Sequence, residues 1–287
     1  MLPIYKKEIK TYFTQMTGYI FLTFMVLLTA IYFVLINVFG MDPRYYAVLS
    51  GTTILFFVLI PTLTMRLFSE ESRHKTDQLL YTCPLSIGQI VLGKFFAAVS
   101  LFLIGMAATV LFPFILSRYG ELPVSQIAGA FIGFILIGIC FVAVGLFISV
   151  LTDNQIIAAV ATFATLFALF IMDAIANSMP VQTAPSLIFV GALIVGVAAI
   201  LYSSTKNILA SIILAAFGIA AAVAMYFINN LIFDGFIVKT LQWLSVYSRF
   251  ENLTNGILNF ADILYYVSFA ALFIYLTVNV IEKRRWR

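Results

Sequence analysis

Between Lys10 and Asp42 the chain carries no charged residue, and this pattern recurs along its length. Further charge-free windows run between Arg44 and Arg66, Lys94 and Arg118, Glu121 and Asp153, Asp153 and Asp173, Lys206 and Asp234, and Asp262 and Glu282. A helix needs about 20 predominantly apolar residues to cross a bilayer, and each window supplies a run of that order. The window from Asp173 to Lys206 is interrupted by Pro180 and Pro185, so its span is placed from about Pro185 onward. The pattern predicts an all-α integral membrane protein with eight spans in one transmembrane domain, residues 1–287. Composition agrees: 63% of residues are hydrophobic and 10% are charged, against roughly 45–50% and 25% in soluble domains.

Lys and Arg set the orientation. With the N-terminus inside, Lys6, Lys7, Lys10, Arg66, Arg73, Lys75, Lys94, Lys206, Lys283, Arg284, Arg285 and Arg287 fall inside, and Arg44, Arg118, Lys239 and Arg249 outside. The acidic residues divide evenly. Both termini are therefore expected on the cytoplasmic side of a plasma membrane, and the basic balance needs no nucleic-acid partner. Gly18 to Phe39 is too long for a signal-peptide core and reads as a retained first span. Cys83 and Cys140 are expected to be free thiols.

Three polar or amphipathic stretches punctuate the spans. Residues 2–16 read as an interfacial helix with Tyr5, Ile9, Tyr12, Phe13 and Met16 on one face and Lys6, Lys7 and Lys10 on the other. Residues 66–94 form a cytoplasmic island. Ser69 is placed to cap a short helix with Glu70 and Glu71 in its first turn, Pro84 to stop it, and Ser86 to cap the next. Residues 234–262 form an outer island, where Ile237, Leu241, Leu244 and Tyr247 keep helical spacing, which suggests amphipathic helices at the outer interface before the last span. Pro61 is expected to kink the second span. Gly129 and Gly133, four apart, mark a close helix seam.

Catalytic constellations are absent from the sequence: there is one histidine, His74, and no metal-ligand spacing. Gly88 to Lys94 has the spacing of a phosphate-binding loop, but Phe95 replaces the Ser or Thr that would hold magnesium, and no strand precedes it. The chain is thus read as a non-enzyme that binds no cofactor itself. The one ionisable residue inside an apolar window, Asp173, lies toward an outer end, so a mid-membrane relay is poorly supported.

The segment from Arg66 to Pro84 resembles the region after the second span in ABC-2 type exporter permeases, in which a Glu five residues before a Thr, then Leu-Leu and Pro, marks a coupling element. Gly93-Lys94 opening the third span and the N-terminal YKKEIKTYF fit the same family. Leu244 to Gly256 and the closing Glu-Lys-Arg-Arg-Trp resemble its gliding-motility exporter permeases. The family often has Gly before the Thr; Lys75 stands there. The resemblance implies a permease subunit driven by a separate ATP-binding-cassette ATPase, which binds the ATP and magnesium. It also implies a second permease chain and room for an accessory membrane or extracytoplasmic subunit. The ATPase contact is expected on Glu70, Glu71, Arg73, Thr76, Asp77, Leu79, Leu80 and Pro84. The basic family core has six spans, which makes spans six and seven an addition. A secondary transporter and a non-transporting scaffold are the alternatives; the substrate is not legible.

Overall fold

The structure, a computed structural model, describes residues 1–76, 85–119, 122–179, 183–205, 208–228 and 234–285. Among them the chain is all-helical. Six helical stretches are long and apolar enough to span a membrane: Met16–Phe39, Tyr45–Arg73, Ile87–Leu116, Val124–Leu151, Gln155–Ser178 and Phe260–Arg284. The protein is thus multi-pass in character. The described residues group into two compact units, 1–168 with 246–287, and 169–245.

In the first unit, α1 (Leu2–Thr14) leads into α2 (Met16–Phe33), which ends in a π-helical turn, Val34–Phe39. The second span is segmented into α3 (Tyr45–Thr52), a 3-10 turn (Thr53–Leu55) and α4 (Phe56–Thr64), followed by α5 (Ser69–Arg73). The break lies upstream of Pro61, which sits within α4. Thr52 and Thr53 turn their hydroxyls back onto the carbonyls of Leu49 and Ser50, at 3.0 and 2.6 Å, a pattern that competes with the regular helical ladder. Then come α6 (Ile87–Thr109), α7 (Leu111–Leu116), α8 (Val124–Leu151) and α9 (Gln155–Ser178).

Helix α8 is the centre of this unit. Its apolar window is 72% buried, whereas that of α2 is 22% buried and faces outward. Lipid is as apolar as leucine, so helices associate in a bilayer through close packing at small residues. The glycines of α8 do this one neighbour at a time. Gly138 faces the ring of Phe102 on α6, and Gly145 faces Thr64 on α4. Phe56, Phe102, Phe134 and Phe141 interlock between them, Phe56 and Phe134 with ring centroids 4.4 Å apart. Cys140, a free thiol, is buried in the same layer and donates to the Tyr266 carbonyl.

The sequence-predicted seam at Gly129 and Gly133 is real, and its partner lies within the chain. A Cβ on Gly129 would strike the Leu253 carbonyl, and one on Gly133 would lie 2.9 Å from the Phe250 ring. Both partners belong to α13 (Tyr247–Thr254), which precedes α14 (Phe260–Arg285).

The second unit contains the end of α9, then α10 (Thr183–Thr205), α11 (Ile208–Ile228) and α12 (Phe236–Leu244). Helices α10 and α11 pack together, with Gly218 against Ile194. Asp173 is half-buried near the end of α9, accepting from Asn177 at 3.3 Å. The outer island forms helices before α14, as expected, namely α12 and α13. Ile237, Leu241, Leu244 and Tyr247 do not share one helix, because Ser245 turns extended and separates α12 from α13.

Candidate functional site

The island after the second span does not stand free of the helices around it. It begins as α5, whose first backbone donors need partners that a helix cannot supply itself. The sequence assigns this cap to Ser69. In the structure Ser69 is already helical and its hydroxyl donates back to the Met65 carbonyl. The cap comes instead from α8, where Ser149 Oγ accepts from Phe68 N at 3.0 Å and Ser69 N at 3.3 Å. The expected cap at Ser86 is present, accepting from Gln89 N.

Beside α5 lies the most heavily charged buried cluster among the described residues. Lys94, 1% exposed, extends its ammonium between three elements. It donates to Glu8 Oε1 on α1 at 3.0 Å and to the Leu67 carbonyl at 2.6 Å. Glu71 Oε2 on α5 stands 2.8 Å away in contact ion pairing, off the hydrogen-bonding directions. The Phe68 ring lies 5.0 Å from the same nitrogen. Lys7 closes the group, donating to Glu71 Oε1 at 3.0 Å and lying 3.8 Å from Glu8. Burial pulls the Lys7 ammonium down; the charge and hydrogen bond of Glu71, with Glu8, outweigh it, so its pKa is raised. Tyr12, one turn beyond Glu8, donates to the Leu63 carbonyl. Burial drives its phenol well above the ordinary range, and Glu8 adds to this.

Lys94 and Gly93, which mimic a phosphate loop in sequence, therefore serve packing and charge. A Cβ on Gly93 would lie 3.1 Å from Ile4, so glycine admits α1 onto α6 at this point. The packed face of α1 is Ile4, Glu8 and Tyr12. The expected face agrees at Tyr12, which is buried, and at Tyr5, whose hydroxyl lies 3.0 Å from that of Ser100 on α6; Ile9 and Phe13 are half-buried, and Met16, beyond the end of the helix at Thr14, is 79% exposed.

Around this hub the other island residues are tied down too. Arg66 pairs with Glu70 at 3.0 Å and donates to Thr17 at 2.8 Å and to Gln15. Ser72 donates to Asp153 in the turn after α8, and Asp153 lies 3.7 Å from Arg284 of α14. Of the residues expected at a partner surface, Glu70 and Glu71 face inward into ion pairs, while Arg73 and Thr76 are exposed along with His74 and Lys75. Lys75 holds φ of 55°, the left-handed region that favours glycine. Asp77, Leu79, Leu80 and Pro84 lie outside the described residues, as does Cys83.

Glu8, Lys94 and Ser149 escape the sequence reading. Glu8 is hidden among Lys6, Lys7 and Lys10; its signal is the four-residue spacing to Ile4 and Tyr12. Lys94 has a signal of its own, a lone cation between Gly93 and Phe95 with no charge nearby in sequence.

The arrangement ties the short helix α5 to its neighbours by charge and hydrogen bonding. Residues 69–73 are joined to α1 and α6 by the ion pairs of Glu71, to α8 by Ser149, and through Asp153 to Arg284 of α14. No family model and no curated protein matches the chain.

Proposed function

We propose that this chain is the transmembrane subunit of an ABC-2 type exporter, moving a substrate with energy from ATP hydrolysed by a separate ATPase subunit. In this reading α10 and α11 complete eight spans, both termini face the cytoplasm, and a second permease chain pairs with the first. The ATPase docks under residues 70–84 and presses on that segment. The observation that carries the proposal is the anchoring of α5: Glu71 contacts both Lys7 and Lys94, so the exposed residues 73–76 are attached to a charge hub joining three helices. Lys75 adds support, since the family pattern often has glycine at this position and the backbone there is left-handed.

The test is co-purification with a soluble ATP-binding-cassette ATPase, with a Thr76→Cys variant cross-linking to it. The proposal expects ATP-dependent cross-linking from position 76 and its loss in Arg73→Glu. Transport by the purified chain alone in proteoliposomes would refute it. So would labelling of a cysteine at position 74 from outside intact cells.

A further inference from the structure

Two compartments of opposite character meet at the α1 end of the first unit. One is an apolar groove of about 470 Å³ between α2 and α4, lined by Phe21, Phe24, Leu28, Val58, Leu59 and Thr62 among others. The other is a charged pocket of about 240 Å³ at the foot of α1, walled by Lys7, Gln15, Arg66, Glu70 and Glu71 among others. They adjoin where Arg66 donates to Thr17 and where Tyr12 closes the groove.

Length identifies what the groove holds. From Thr17 to Leu28 the α2 wall rises about 16 Å at 1.5 Å per residue, the depth of one leaflet in a hydrocarbon core about 30 Å thick. The groove opens sideways, with Phe24 and Val58 both more than half exposed. A single acyl chain enters such a slot from the leaflet without leaving it.

Charge identifies the other end. Lys7, Arg66 and Lys94 face Glu8, Glu70 and Glu71, a formal balance of zero, so the pocket does not select a net anion. Lys94, Glu8 and Glu71 are spent on one another, and Lys7 and Glu70, each with one hydrogen-bonded ion-pair partner in Glu71 and Arg66 respectively, keep donor and acceptor capacity on their exposed sides. The two charges with most remaining exposure are opposite in sign: Lys7, 55% exposed, and Glu70, 33% exposed. A headgroup with a phosphate for Lys7 and a protonated amine for Glu70 fits both. We propose that this paired groove and pocket bind one phospholipid of the phosphatidylethanolamine type, acyl chain between α2 and α4 and headgroup against Lys7 and Glu70. The site stands whether or not the chain couples to an ATPase.

The test reconstitutes the full chain in vesicles of phosphatidylethanolamine, phosphatidylcholine and phosphatidylglycerol in equal parts. Each lipid in turn carries a photoactivatable acyl chain, and adducts are mapped by mass spectrometry. Phosphatidylethanolamine adducts are expected at Phe21, Phe24, Val58 and Thr62, in excess over the other two lipids. Thr62→Trp fills the groove from an exposed position and should reduce them about tenfold, equivalent to about 1.4 kcal/mol. Val58→Trp serves in its place if that variant does not elute as a single species. Val160→Trp, on a lipid-facing stretch of α9, should change nothing. Lys7→Gln and Glu70→Gln should abolish the headgroup preference and leave the adduct positions unchanged. Adducts spread equally over α9 and α2, or unaffected by the groove-filling variants, overturn the site. Equal labelling by all three lipids overturns the headgroup assignment. A dimer that dissociates when the groove is filled, with no lipid adduct there, makes a second copy the occupant and overturns the proposal.

Discussion

Replacing Lys94 with methionine tests the ionic hub most directly. The side chain is 1% exposed and contacts Glu8, Glu71 and the Leu67 carbonyl within 3.0 Å. Methionine is close in length and needs no solvation, so the variant removes charge with little change in packing. What remains is two carboxylates, 11% and 13% exposed, that have lost their shared cation. Removal of one partner from a buried pair costs about 3–5 kcal/mol. Lys7 stays near both acids, but at 55% exposure its pairing is worth about 0–1 kcal/mol and cannot replace Lys94. The expected loss is therefore about 3 kcal/mol, read by SDS-titrated unfolding in mixed micelles. Glu8→Gln and Glu71→Gln, added to Lys94→Met, should each recover part of it, with coupling of about 1–3 kcal/mol in the cycles. A Lys94→Met loss below 1 kcal/mol, or strict additivity with Glu8→Gln, would refute the hub.

Ser149→Ala should expose the Phe68 and Ser69 amides, destabilise the fold by about 1–2 kcal/mol and speed hydrogen exchange at the start of α5. Gly133→Ala should displace α13 through Phe250 and Leu253, at about 1–3 kcal/mol for overpacking, seen as a lower unfolding midpoint. Lys75→Gly should relieve left-handed strain and raise stability by up to about 1 kcal/mol. The Asp42 carboxyl, held by its Arg44 side-chain hydrogen bonds, sits below its ordinary pKa of 3.8. Its contribution is complete above that value and is lost as pH falls through the lower folded one, so Asp42→Asn should lower stability slightly at neutral pH, and its difference from the parent should disappear in acid, well below about pH 4.

Six of the eight expected spans were legible because a bilayer imposes one crude rule, and the intervals between charges obey it: Lys10 to Asp42 contains α2, and Glu121 to Asp153 contains α8. The glycine seam at Gly129 and Gly133 was legible for a similar reason, since only close approach explains two glycines on one turn of an apolar helix. Its partner was not, because α13 lies more than a hundred residues away. Charge sorting put Glu8 and Lys94 on one side but missed that they are buried against each other. A rule that assigns charged residues to water has no means of pairing one on α1 with one on α6. The cap on α5 failed likewise, because its acceptor, Ser149, stands 80 residues from the amide it serves. Within the site itself, the exposed positions Arg73 and Thr76 follow from local sequence. The inward turn of Glu71 follows only from the tertiary arrangement.

The order of the hub along the chain bears on how the protein is made. Glu8 and Glu71 both precede Lys94, and the helices carrying them leave the ribosome first. When the third span enters the membrane, its cation meets two anions already positioned to receive it. A permuted chain that delivered residues 87–109 ahead of α1 would have to insert a bare ammonium, and its yield in the membrane should fall accordingly.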